Sequence, residues 1–89
     1  MPPLDPHVAD VAPAGPALTP YDEAHAVTYC RLLDADAEGA DWREVSRIVL
    51  HIDPDRESMR AQTAFESYLR RARWLADHGY RHLVARWLR

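Results

Sequence analysis

Eighty-nine residues with a formal net charge of −3 accommodate one small domain and exclude strong non-specific nucleic-acid binding by the chain as a whole. The single Cys30 excludes an internal disulfide framework, and no apolar run reaches membrane-spanning length. The N-terminus has neither the basic nor the apolar region of a signal peptide, so the expectation is a cytoplasmic protein, monomeric when free and not membrane-bound.

Residues 1–18 read as a disordered arm. Six of the seven prolines lie at or before Pro20, and Asp5 and Asp10 are the only charges ahead of it. Such a segment buries too little surface to offset its ordering entropy. Residues 19–89 then form the domain. Thr19-Pro20 is a helix start, with Thr as N-cap, Pro at the first helical position and Asp22 and Glu23 complementing the dipole. This first helix is predicted over Pro20–Ala35, with Ala26, Tyr29, Cys30 and Leu33 on its buried stripe and Val27 and Leu32 at the margins. Gly39 is its C-terminal stop.

Asp41 to Glu44 has capping-box spacing. Trp42, Val45, Ile48, Val49 and Ile52 follow at helical intervals, giving a second helix that ends before Asp53-Pro54. The connection Asp53–Glu57 is longer and more charged than the turn of an ordinary helix-turn-helix, and Asp53-Pro54 can open a helical turn of its own. A long third helix is predicted over Ser58–Asp77, capped by Ser58 or Asp55. Ala61, Phe65, Tyr68, Leu69, Ala72, Leu75 and Ala76 share its inner face. Gly79 closes it, and a last helix over Tyr80–Leu88 buries Tyr80, Leu83, Val84, Trp87 and Leu88. Four amphipathic helices leave no room for a sheet, so the predicted fold is an all-α, four-helix, extended-turn variant of helix-turn-helix.

No catalytic chemistry is expected. Cys30, Ser46, Ser58 and Ser67 lie in no nucleophile-elbow setting, and three glycines leave no phosphate loop. His51, Asp53 and Asp55 offer one imidazole and two carboxylates without a second cluster to complete a metal shell. His78 and His82 are separated by a helix-breaking Gly79. Neither a metal nor another cofactor is called for.

Charge is divided sharply along the chain. Up to Glu57, twelve carboxylates face four arginines; beyond it, seven arginines face Glu66 and Asp77. The dividing line falls where a recognition helix would begin. Arg56, Arg60, Arg70, Arg71 and Arg73 are the candidates for residual DNA contact. Glu66–Arg70 and Arg73–Asp77 have the spacing of helix-surface pairs that absorb part of this charge. Asp53, Asp55 and Glu57 crowd the end that normally reads base edges, which makes DNA binding weak or absent. Tyr21, His25, Tyr29, Trp74, Tyr80 and Arg81 are instead the candidates for an aromatic-plus-Arg protein contact.

Four blocks of sequence carry a resemblance: Leu18–His25, Arg31–Ala35, Asp41-Trp42 and Arg71–His82. Together they resemble a small proteobacterial domain borne on integrative and conjugative elements, the QseM-type antiactivators. These are paralogous to the C-terminal domain of FseA-type activators of element excision and transfer. The resemblance covers residues 18–85. It implies an extended-turn helix-turn-helix whose basic face binds DNA in the activators and whose opposite face packs on the activator's N-terminal domain. The free-standing acidic members imitate that packing face and capture the N-terminal domain. Applied here, the resemblance implies an antiactivator whose partner is a transcriptional activator's N-terminal domain. The alternative is a DNA-binding transcriptional regulator that uses the basic third helix.

Overall fold

The computed structural model describes residues 8–78. They form α1 (Pro20–Ala24), α2 (Ala26–Ala37), α3 (Trp42–Ile48) and α4 (Ser58–Asp77), with no strand among the described residues. The all-α fold is thus as expected. The helix predicted over Tyr80–Leu88 lies outside the described residues. No helix of the described residues is long and apolar enough to cross a membrane.

Thr19 caps α1 in a capping box: its hydroxyl accepts from the Asp22 amide at 3.1 Å while the Asp22 carboxylate accepts from the Thr19 amide at 2.9 Å. The single helix expected from Pro20 is broken at His25. Its ring Nδ1 donates to the Tyr21 carbonyl at 2.8 Å, the same oxygen that accepts from the His25 amide. That side chain intrudes on the helical ladder at the break. α2 then ends in a Schellman motif. Gly39 has φ +71°, its amide donates to Asp36 O, and the Ala40 amide donates to Ala35 O.

Around α2 the buried face is turned from the expected one. Ala26, Val27, Tyr29 and Leu32 are buried, whereas Cys30 and Leu33 are half-buried. The second helix is also shorter than its apolar pattern suggests, ending at Ile48 rather than running towards Ile52. His51 takes a left-handed φ of +59° in the connection. The chain reverses there so that Leu50 and Ile52 still reach the core, while Ile48 is left 62 % exposed. Asp53-Pro54 does open its own turn: the Glu57 amide donates to Asp53 O at 2.9 Å and the Asp55 amide to the Asp53 side chain. Neither Ser58 nor Asp55 caps α4; Glu57 occupies the N-cap without a side-chain cap bond.

α4 is the central element and packs against both α2 and α3. Ala61, Ala64 and Ala72 are fully buried, and their small side chains let the other helices approach closely. Tyr29, Leu32, Val45, Leu50, Tyr68 and Leu75 fill the space between them. Residues 8–18 form neither helix nor strand, in keeping with a Pro/Ala-rich arm. They are nonetheless held in place. Val8 and Ala12 join the core, the Ala9 amide donates to Tyr21 Oη at 3.0 Å, and the Ala12 amide donates to Ser67 Oγ at 3.1 Å. Tyr68 Oη donates to the Ala9 carbonyl at 2.8 Å. Two small apolar contacts would not order this segment alone; three polar anchors on its backbone complete the work.

Candidate regulatory interface

Of the five arginines assigned to DNA, Arg71 is placed where no DNA can reach it. Its side chain is 2 % exposed and faces Asp22, which is 0 % exposed. Nε donates to Asp22 Oδ1 at 3.0 Å and Nη2 to Oδ2 at 2.6 Å, a bidentate fork. The remaining donors reach the arm, Nη1 to Gly15 O at 2.6 Å and Nη2 to Ala17 O at 2.8 Å. Arg71 is therefore a structural clasp joining α4, α1 and the arm. Burial by itself would push the Asp22 carboxyl pKa up. The hydrogen bonds from Arg71, Thr19 and Tyr29 outweigh it, so the net shift is downward.

Tyr29 belongs to the same cluster. It is buried and its Oη donates to Asp22 Oδ1 at 2.8 Å, which removes it from the partner-contact set. Burial, followed by the Asp22 charge, holds its phenol well above the ordinary range. His25 is also buried, stacked on Tyr21 with ring centroids 3.9 Å apart. Tyr21 is half-buried and its hydroxyl is hydrogen-bonded to that of Tyr68. Of these three aromatic residues, Tyr21 ties the arm to the helices through the Ala9 amide, while Tyr29 and His25 are buried against Asp22 and Tyr21. Tyr80 and Arg81 lie outside the described residues.

Among the described residues, most of the surface cations are neutralised at home. Arg60 bridges Asp10 of the arm and Glu57, both at 2.8 Å. Arg73 reaches across to Asp36 of α2 at 2.8 Å instead of pairing with Asp77 along its own helix. Arg47 lies between Glu44 at 3.8 Å and Asp55 at 3.3 Å. Arg56 and Arg70 are exposed and make no ion pair among the described residues. The Glu66–Arg70 pair allowed by spacing does not form; Glu66 accepts from Gln62 at 3.5 Å. Residues 8–78 contain thirteen carboxylates and eight arginines, so this surface is net negative even before partners are considered.

One set of exposed residues was not singled out from sequence. Met59, Gln62 and Thr63 face outward from the first two turns of α4, with Met59 83 % exposed. Helical spacing opposite Ala61 and Ala64 was a signal that could have identified them. In a helix-turn-helix these turns are the ones that meet base edges. No such signal announced Asp22 and Arg71, which are 49 residues apart in sequence.

A helix-turn-helix-like pair, α3 and α4, with an extended connection is now in place. Residues 4–85 match the family described as RovC_DNA-bd: T6SS, transcription factor, DNA binding domain. The chain belongs to this family. No curated protein shows a match to it. Membership establishes a small DNA-binding-type regulator domain.

Proposed function

We propose that this domain regulates transcription by capturing an activator protein through a surface that the activator's own domain of the same family would occupy. The observation that carries this reading is the state of the cations on and around α4. Arg71 is buried, Arg60 and Arg73 are held by carboxylates, and acidic Asp53, Asp55 and Glu57 stand at the N-terminal end. A phosphate backbone approaching that end would meet more negative than available positive charge. The scaffold of a DNA-binding domain is kept while its electrostatic footing for DNA is withdrawn. Capture needs no catalysis. It competes with an intramolecular contact whose effective concentration is of order mM for a short linker, so tight binding or high abundance is required.

A second reading, direct DNA binding, is favoured by two observations. One is the family's description as a transcription-factor DNA-binding domain. The other is the outward presentation of Met59, Gln62 and Thr63, since a Gln side chain can pair bidentately with adenine and a methyl-bearing one can meet thymine.

Parallel titrations of the purified full chain decide between them. One uses the N-terminal domain of the activator encoded on the same genetic element, the other its promoter duplex, each over a series of salt concentrations. Binding of the protein with no shift of the duplex is the expected result. Duplex binding that weakens steeply with salt, without protein capture, would overturn capture and make α4 a reading helix.

A further inference from the structure

We infer that the shallow apolar depression between the arm and α4, rimmed by Arg70, is where a protein partner docks an apolar side chain flanked by a carboxylate. The inference rests on the capture reading for the identity of that partner and assigns it a surface. The depression is lined by Val11–Ala14 of the arm and by Ser67, Arg70, Arg71 and Trp74 of α4. Three properties of these residues point to an acidic-apolar occupant.

The first is exposed apolar surface. Val11 is 56 % exposed although its neighbour Ala12 is buried, so the arm turns an apolar side chain outward beside an apolar floor. The second is a preset aromatic wall. Arg71 stacks on the Trp74 ring with its guanidinium carbon 4.3 Å from the centroid, and His78 stacks on the same ring at 4.3 Å. Arg71 is itself fixed by Asp22 and by two arm carbonyls. A ring held this way loses little freedom when it is covered, which favours binding. The third is charge. Arg70 is exposed at the rim and makes no ion pair among the described residues, on a surface whose other cations are mostly paired. A half-buried Trp beside a fixed apolar wall and an available Arg is the composition of an interface hot spot. The available guanidinium selects a carboxylate on the incoming segment.

The test uses the full chain, 15N-labelled and observed by NMR, with two probes. One is a short synthetic peptide of alternating Asp and Leu, set against a counterpart with Lys in place of Asp. The other is the activator's N-terminal domain used in the titrations above. The expected result is that the acidic peptide shifts Val11–Ala14, Ser67, Arg70 and the Trp74 indole while the Lys peptide does not. Arg70→Glu and Val11→Asp, both at exposed positions, should each weaken binding of either probe about tenfold, as loss of a hot-spot contact does, with the helical circular dichroism unchanged. Equal binding of the two peptides, or no shift at these residues with the acidic one, would overturn the inference. So would a promoter duplex that shifts the same residues. Activator capture that survives Arg70→Glu and Val11→Asp removes the docking surface and leaves capture standing. Acidic-peptide binding without any activator capture does the reverse.

Discussion

The Asp22 carboxylate is kept ionised in the interior by hydrogen bonds from Arg71, Tyr29 and Thr19. Removing the guanidinium would strand that charge away from water. Arg71→Ala is expected to cost about 3–5 kcal/mol, the usual penalty for breaking a buried pair from one side. Urea denaturation of the variant measures it, and a fully folded, equally stable Arg71→Ala would refute the clasp. Asp22→Asn tests the other partner in the same way. The titration behaviour has a definite sign. Because the folded-state pKa of Asp22 lies below its ordinary 3.8, the contribution of the pair is present above that value and is lost as pH falls below it. Tyr29 and Tyr68 lie on the other side. Their folded pKa values are raised above the ordinary 10.0 by burial first, then by hydrogen bonding to Asp22 and to Tyr21 respectively. Unfolded phenols ionise first, so stability should fall again above about pH 10. Thermal melts across pH should therefore give a plateau bounded by these two declines; a midpoint still rising below pH 4 would contradict the assignment to Asp22.

At the scale of the helices, several ends were announced by the sequence, whereas the cap of α4 and the end of α3 were not. Thr19, Pro20, Asp41 and Gly39 act where their chemistry says they should, since caps and stops depend on a few neighbouring backbone groups. Gly39 has open space around a would-be Cβ, so Gly39→Ala isolates the cost of the left-handed backbone. That cost is about 1–2 kcal/mol, read as a fall in the denaturation midpoint; no change would mean the Schellman turn contributes nothing. The buried face of α2 and the end of α3 were less legible. Cys30, Leu33 and Ile48 fit a helical stripe better than Val27 and Leu32 at its margins or Leu50 off it, yet the latter three are the buried ones, because the neighbours decide which row is covered. Leu50 supplies a check on the irregular connection. It is 1 % exposed, so Leu50→Ala should cost about 2–5 kcal/mol, as for a core leucine, despite lying outside any helix; a loss under 1 kcal/mol would show that the connection is not part of the core.

Across the whole molecule, the arm and the charge pattern bear most directly on the choice between protein capture and DNA reading. The arm lays Asp10 against Arg60 and hands Gly15 and Ala17 to Arg71, so residues far apart in sequence share one polar seam. The exposed ion pairs add little to stability individually, yet they occupy the cations that a phosphate would need. Arg60→Gln and Arg73→Gln should accordingly leave any duplex affinity within about twofold, whereas Arg56→Gln would lower it if the DNA reading were right, because phosphate contacts are counted through released counterions. Gel-shift assays at fixed salt would show the difference.

Helical class, the extended turn, the caps at Thr19 and Asp41 and the excess of carboxylates at the head of α4 were determined by the sequence alone. Each rests on local backbone chemistry or on a count of charges, neither of which depends on what lies across the core. Membership of the candidate sites was decided by tertiary structure. Arg71, Tyr29 and Tyr21 have the residue types of an interface, but folding brings Asp22, Tyr68 and the arm's carbonyl groups to them. A guanidinium or phenol is equally suited to a phosphate, a partner or a buried carboxylate. Which one it meets follows from packing between segments separated by tens of residues, and no local pattern encodes that.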